Sequence, residues 1–155
     1  MPSRPEIRIQ ELHLTLPKPP KPMARYKQAV RVGQLLFVSG HPPLLPDGKL
    51  ITGRVGEDLS LAQGKQAARV AGLAILSTVR HTLGSLDKVK RLVKTLGMVN
   101  SSADFKDHPH VVNGFSELMA EVFGEDAGVG ARSAVGTNAL PMNIPVEIEC
   151  IFEVA

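Results

Sequence analysis

Ala131-Arg132-Ser133-Ala134-Val135-Gly136-Thr137 and, a few residues on, Pro145-Val146-Glu147-Ile148-Glu149-Cys150-Ile151-Phe152-Glu153-Val154 are the two runs whose reading decides the fold. In the second run Val146, Ile148, Cys150 and Phe152 alternate with Glu147, Glu149, Ile151 and Glu153. Period-two alternation of this length predicts a half-buried β-strand. The first run is Ser, Val, Thr and Ala with a single arginine at its start, and it predicts a second strand. Leu140-Pro141-Met142-Asn143 supplies turn chemistry between them, so the two runs are expected to pair as antiparallel neighbours. On that reading Arg132 and Glu147 converge on one pocket.

Working outward, the same logic orders the rest of the chain. Leu61 to Leu83 carries apolar residues at helical spacing, with Asp58 or Ser60 before it as a cap and Gly84-Ser85 after it as a stop. Val89–Val99 reads as a strand rich in Val and Leu. A second amphipathic helix is expected from about Pro109 to Phe123, after the loop Asn100–Asp104. Upstream, Tyr26–Arg31 and Leu35–Ser39 read as two strands joined by a turn at Val32-Gly33-Gln34. The unbroken apolar run Leu35-Leu36-Phe37-Val38 is what a strand covered on both faces would show. Leu50-Ile51-Thr52 reads as a further strand-like piece. Before all of this, a short helix within Pro5–Leu16 would bury Ile9 with Leu12. Four prolines between Pro17 and Pro22 then force an extended strap. The expectation is an α+β fold, a mixed sheet with two helices packed on one face. It occupies one domain, residues 1–155, whose first 22 residues are the N-terminal helix and strap.

Composition narrows the function classes. The chain has 155 residues, 43% hydrophobic and 21% charged, with a net charge of +3. No apolar run approaches the ~18–20 residues a membrane span needs. Met1-Pro2-Ser3-Arg4-Pro5-Glu6 does not read as a secretory signal. A single cysteine, Cys150, excludes an internal disulfide framework and fits a reducing compartment, so a cytoplasmic location is expected. Aromatics are only 4% and the basic residues are scattered. Single-strand nucleic-acid readers combine a basic groove with stacking rings, so nucleic acid is not the expected partner.

Familiar catalytic signatures are missing. The sequence has no glycine-rich phosphate loop, no cysteine pair for zinc and no nucleophile elbow. His108 and His110, near Asp104 and Asp107, suggest a metal site only weakly, because helical residues two apart do not share a face. No metal or cofactor is expected. What remains is a set of convergent candidates. Arg132 is either a structural ion pair with a glutamate or a guanidinium fork for a carboxylate or phosphate, which its planar donors fit in bidentate fashion. Glu147 is either an exposed strand residue or an acid facing the same pocket. Gly40 either ends a strand or offers its backbone N–H. Asn113 either faces solvent or points its amide into a cleft.

The segments carrying these residues resemble the RidA family, also called YjgF or, by an older label, endoribonuclease L-PSP. The likeness rests on Leu35-Leu36-Phe37-Val38-Ser39-Gly40-His41-Pro42-Pro43 and on Asn113 ahead of Glu121-Val122-Phe123-Gly124. It rests also on Ala131-Arg132-Ser133-Ala134-Val135, Ala139-Leu140-Pro141 and Val146-Glu147-Ile148-Glu149. The resemblance implies a chorismate-mutase-like α+β fold and a homotrimer with a ligand cleft between each pair of subunits. It implies that Arg132 binds a substrate carboxylate, that Ser39 and Gly40 line the cleft, and that Tyr26 and Asn113 contribute to it. Glu147 would position water, and the backbone of Ala134 would orient water and the leaving ammonia. The implied reaction is hydrolysis of reactive enamine or imine acids of the 2-aminoacrylate type to 2-oxo acids and ammonia. The alternatives are a trimeric protein that binds small carboxylates without turnover and an endoribonuclease. The chain departs from the best-known members at Ala24-Arg25-Tyr26, where they have Gly-Pro-Tyr, and at Ala134, where they often carry cysteine.

Overall fold

In the computed structural model, which describes residues 4–155, five strands build the sheet. They are β1 (Ala29–Val32), β2 (Leu35–His41), β3 (Val89–Asn100), β4 (Ala131–Thr137) and β5 (Val146–Val154). They stand in the order β1-β2-β5-β3-β4. β5 is antiparallel to β2 and to β3, whereas β3 and β4 are parallel. The two runs expected to pair with each other therefore do not: β3 lies between them. Parallel neighbours need a crossover rather than a tight turn, and α3 (His108–Phe123) supplies it between β3 and β4. β4 is left on the sheet edge, and the segment 138–145 returns the chain to the other side of β3. The relative direction of the two runs follows the sequence reading; their adjacency does not.

α2 (Leu61–Leu83) forms where its spacing predicts. Ser60 and Gln63 form a reciprocal capping box, satisfying two otherwise unpaired backbone N–H groups. Gly84 ends the helix at φ 82°, a left-handed conformation that glycine adopts without a Cβ clash. α2 and α3 pack closely because glycine stands at their contact. A Cβ on Gly114 would lie 1.9 Å from the Lys65 carbonyl oxygen. Phe115, Leu118 and Met119 of α3 are fully buried in the core with Ile75, Leu76 and Val79 of α2. Each large apolar side chain removed from water contributes roughly 1.5–3 kcal/mol. A short α4 (Glu125–Gly128) leads from α3 into β4.

Alternation in β5 sorts the sheet into two faces. Val146, Ile148, Cys150, Phe152 and Val154 are buried on the helix side. Cys150 sits in the middle of the sheet, opposite Val38 on one neighbour and Thr95 on the other. Glu147, Glu149, Ile151 and Glu153 take the open side. In β2 the apolar run divides the same way: Leu36 and Val38 are buried, while Leu35 and Phe37 are exposed. It is not covered on both faces within one chain, because both long helices lie on the same side. Leu50–Thr52 forms no strand; only a single bridge joins Leu44 to Leu50.

The N-terminal segment is docked rather than trailing. α1 (Pro5–Glu11) buries Ile9. Glu6 accepts two bonds from the Arg80 guanidinium, at 2.6 and 3.1 Å, and one from the Leu86 N–H at 2.8 Å. The proline strap follows as irregular chain, and Ser77 Oγ donates to the Pro17 carbonyl at 2.6 Å. No helix among the described residues is long and apolar enough to cross a membrane.

Candidate functional site

The open face carries the first group of candidates. Between Val38 and His41 the pairing with β5 slips by one residue, so three steps on β2 match two on β5. This is a β-bulge, a device that re-aims side chains. His41 is fully buried on the helix side, with Nδ1 2.6 Å from the Ser39 carbonyl and Nε2 2.7 Å from Thr78 Oγ. A carbonyl only accepts, so Nδ1 carries the proton and Nε2 accepts the Thr78 hydroxyl. Burial pushes the imidazole pKa down, against the bond to Ser39, which pushes it up. A neutral histidine thus ties the bulge to α2 and does not line the cleft.

The bulge brings Gly40 against Glu147. A Cβ on Gly40 would stand 2.9 Å from Glu147 Cδ and 3.0 Å from Oε2. The Glu147 side chain therefore lies directly on glycine backbone. Its carboxyl is half-buried and makes no hydrogen bond or ion pair with the described residues. Burial raises its pKa, and the like charge of Glu149 raises it further. Acids of this kind, displaced toward neutrality and facing a cleft, are suited to proton transfer. Ser39 also lines the cleft, though its hydroxyl is committed to the Lys27 carbonyl at 2.6 Å. Tyr26 is exposed at the rim. The cleft holding Tyr26, Ser39, Gly40 and Glu147 measures about 740 Å³.

The second group lies elsewhere. Arg132 pairs with Thr95 on β3, whereas Glu147 pairs with Met98 on the same strand. Thr95 and Met98 are three positions apart, and an odd step along a strand reverses the face. Arg132 accordingly projects to the helix side. Its guanidinium donates to Ser116 Oγ and to the Pro109 carbonyl, each at 3.1 Å. Both partners are neutral, and no acid pairs with it among the described residues. Asn113 falls between Pro109 and Ser116 on α3, at spacings of four and three that share a helix face. It borders a shallow groove with Lys65, Asp107 and His110. Ala134 follows Arg132 by two residues, on the same face, and packs against the core.

One chain therefore does not bring Arg132 and Glu147 together, as the hairpin reading required. It separates the candidates into two groups: Tyr26, Ser39, Gly40 and Glu147 on the open face, and Arg132, Asn113 and Ala134 on β4 and α3. His108 and His110 diverge, the first toward Ser101 Oγ at 3.1 Å and the second toward Asp107 at 3.5 Å. No group of three or more metal-ligating side chains gathers among the described residues. Two cleft residues escape a reading by motif. Glu149 was visible through its alternation with Glu147. Gln28, whose buried Oε1 has no hydrogen-bond partner, carried no signal.

Residues 6–153 match the YjgF/chorismate mutase-like family, whose description carries an endoribonuclease label. Protein TCP17 of Trypanosoma cruzi is 40% identical over 145 residues, spanning 94% of this chain and 91% of that one. The Reactive Intermediate Deaminase A of Arabidopsis thaliana chloroplasts is 36% identical over 135 residues, covering 86% of this chain and 61% of that protein. The crystal structure of Atu1372 from Agrobacterium tumefaciens, a protein described as of unknown function, superposes with a TM-score of 0.88. It is 40% identical and covers 98% of this chain and 94% of its own. The chain belongs to the YjgF/RidA family, and its mixed α+β architecture is that family's chorismate-mutase-like fold.

Proposed function

We propose that this chain hydrolyses 2-imino acids to 2-oxo acids and ammonia, in clefts shared between copies of itself. The observation that carries this reading is a pair of charges without counter-ions. Arg132 is held in place by neutral acceptors, and Glu147 stands unpartnered in a cleft on the opposite face. A substrate bearing a carboxylate at one end and an electrophilic carbon at the other would complete both. β4 is an edge strand, and an exposed edge favours association. The family's expected homotrimer would set one copy's Arg132 beside its neighbour's Glu147.

In that arrangement the guanidinium takes the substrate carboxylate bidentately and fixes the imine carbon by proximity. Glu147 holds a water and accepts its proton as the oxygen attacks that carbon, giving a carbinolamine. The proton passes from Glu147 to the amine nitrogen. Glu147 then takes the hydroxyl proton and delivers it to the nitrogen as the C–N bond breaks, so that the carbonyl forms and ammonia leaves. One water is consumed per imine, and one 2-oxo acid and one ammonia leave. Glu147 is restored. A carboxyl whose pKa is raised suits both halves of that shuttle, and Gly40 and Ser39 line the space where water would sit.

The test is the hydrolysis of imino acids generated in situ by an amino-acid oxidase, wild type beside Arg132→Ala, with oligomeric state checked for both. Arg132→Ala is expected to lower the rate at least a hundredfold, the scale seen for transition-state charge contacts. Undiminished activity would remove the mechanism. Arginine-dependent binding of 2-oxo acids with no acceleration would instead mark a carboxylate-binding protein.

A further inference from the structure

We infer that the cleft beside Glu147 selects acids with bulky apolar side chains over three-carbon ones; this rests on the carboxylate reading above and names the class of substrate. Ser39, Gly40, Glu147 and Glu149 give the cleft a polar part, Lys21, Tyr26 and Gln28 add polar groups, and most of the remaining lining is apolar. Met23, Leu44, Leu50, Met142 and Ile144 build the apolar wall. Its volume of about 740 Å³ falls among sites that take drug-sized ligands, ~300–1,000 Å³. A three-carbon acid would engage the polar part and leave the rest wet.

The wall is built to hold its shape. Leu44 and Leu50 face each other across a bridge, reinforced by Leu45 N–H to the Lys49 carbonyl at 2.9 Å and Ile51 N–H to Pro43 at 3.2 Å. Across the cleft, Met142 and Asn143 adopt φ of 58° and 55°. Non-glycine residues take such conformations only where their surroundings impose them, and they gather at functional sites. Here Gly53 N–H donates to the Asn143 carbonyl at 2.8 Å, and Asn100 Nδ2 donates to Asn143 Oδ1 at 3.3 Å. The third wall comes from the N-terminal strap, pinned at Pro17, through Met23. Met23 and Met142 are 73% and 44% exposed. Large apolar side chains held in water around one concavity mark a place where an apolar group is received. Methionine adapts its shape to varied occupants.

Calorimetric titration of the wild-type oligomer with pyruvate, 4-methyl-2-oxopentanoate and phenylpyruvate tests this without requiring turnover. Each buried methylene strengthens binding about fourfold, so the two larger acids are expected to bind at least tenfold more tightly than pyruvate. Leu50→Ser should shrink that ratio severalfold by weakening the two larger acids more than pyruvate. Equal affinity for all three, or a preference for pyruvate, overturns the side-chain inference but leaves the carboxylate reading standing. It would mean that a neighbouring copy fills the wall. No binding of any of the three overturns both.

Discussion

The two faces of the sheet are made from alternate residues of the same strands, yet they satisfy their polar groups in opposite ways. On the helix side, the fully buried His41 and the buried Ser77 have partners in hand. His41 bonds at both ring nitrogens and Ser77 reaches the strap, whereas Arg132, at the sheet edge and only partly buried, has two neutral acceptors and no counter-ion among the described residues. On the open side, Glu147 and Glu149 stand two residues apart, and Glu147 forms no ion pair among the described residues. A buried unpaired group would be expensive, so the first arrangement serves stability. A like-charged, unpaired pair of acids lowers stability, and persists where something outside the chain completes it. The sealed interior is thus finished by folding, whereas Glu147 on the open face, like Arg132 at the β4 edge, is left for a ligand or a second copy to complete.

The largest expected effect follows from that difference in need. If the two groups of residues meet between copies, Arg132→Ala and Glu147→Gln subunits are each inactive alone. Random mixed trimers would regain about a quarter of wild-type activity, since one cleft in four receives both intact residues. Co-refolded mixtures assayed for imine hydrolysis read this directly; no recovery would place both residues in one chain's site. Next comes one substitution made on each face. Gly114→Ala sets a Cβ against the Lys65 carbonyl, a rigid backbone neighbour. It should destabilise by about 3 kcal/mol or more, seen as a lower denaturant midpoint at unchanged slope. Gly40→Ala meets only the flexible end of Glu147, so it should leave the midpoint nearly unmoved and lower activity about tenfold by displacing the carboxyl.

The smaller effects are in pH. His41 has a folded pKa below its unfolded value, so the unfolded chain binds the extra proton. Its contribution is present above about pH 6.5 and is lost as pH falls toward the folded pKa, at up to about 1.4 kcal/mol per pH unit. His41→Asn, which keeps a donor for Ser39, should flatten that part of the stability profile. Glu147 has the opposite sign: a carboxyl with a raised pKa lowers stability as pH climbs through that pKa. Glu147→Gln should therefore melt slightly higher than wild type at pH 7 while losing activity. A lower melting temperature would make Glu147 a structural residue and dissolve the contrast between the faces.

Much of the fold was legible in the sequence because it is locally encoded. A cap at Asp58 or Ser60, the Gly84-Ser85 stop and the apolar spacing between them place α2 at Leu61–Leu83, and alternation fixes which side of β5 faces the core. What was not legible is non-local. Nothing in Ala131–Thr137 or Val146–Val154 says that β3 slides between them; that depends on the crossover of α3. The same step hides the division of the site, because faces are decided by pairing register and not by distance along the chain. The bulge at Ser39-Gly40 was invisible for a related reason: a single extra residue looks the same in sequence whether it lies in the ladder or outside it. His41 carried no assigned role until that register was known.

Cys150 offers a use for the sheet's centre. Its thiol is fully buried, with a pKa pushed far up by desolvation and then by Glu149, so in the closed protein it is a poor nucleophile. The only cysteine of the chain thereby becomes a built-in clock. A thiol reagent can modify it only during excursions that part β5 from β2 and β3. When reclosing outruns the reagent, the labelling rate reports the free energy of that opening. Without tag or mutation, the native chain records how tightly its middle strand is held.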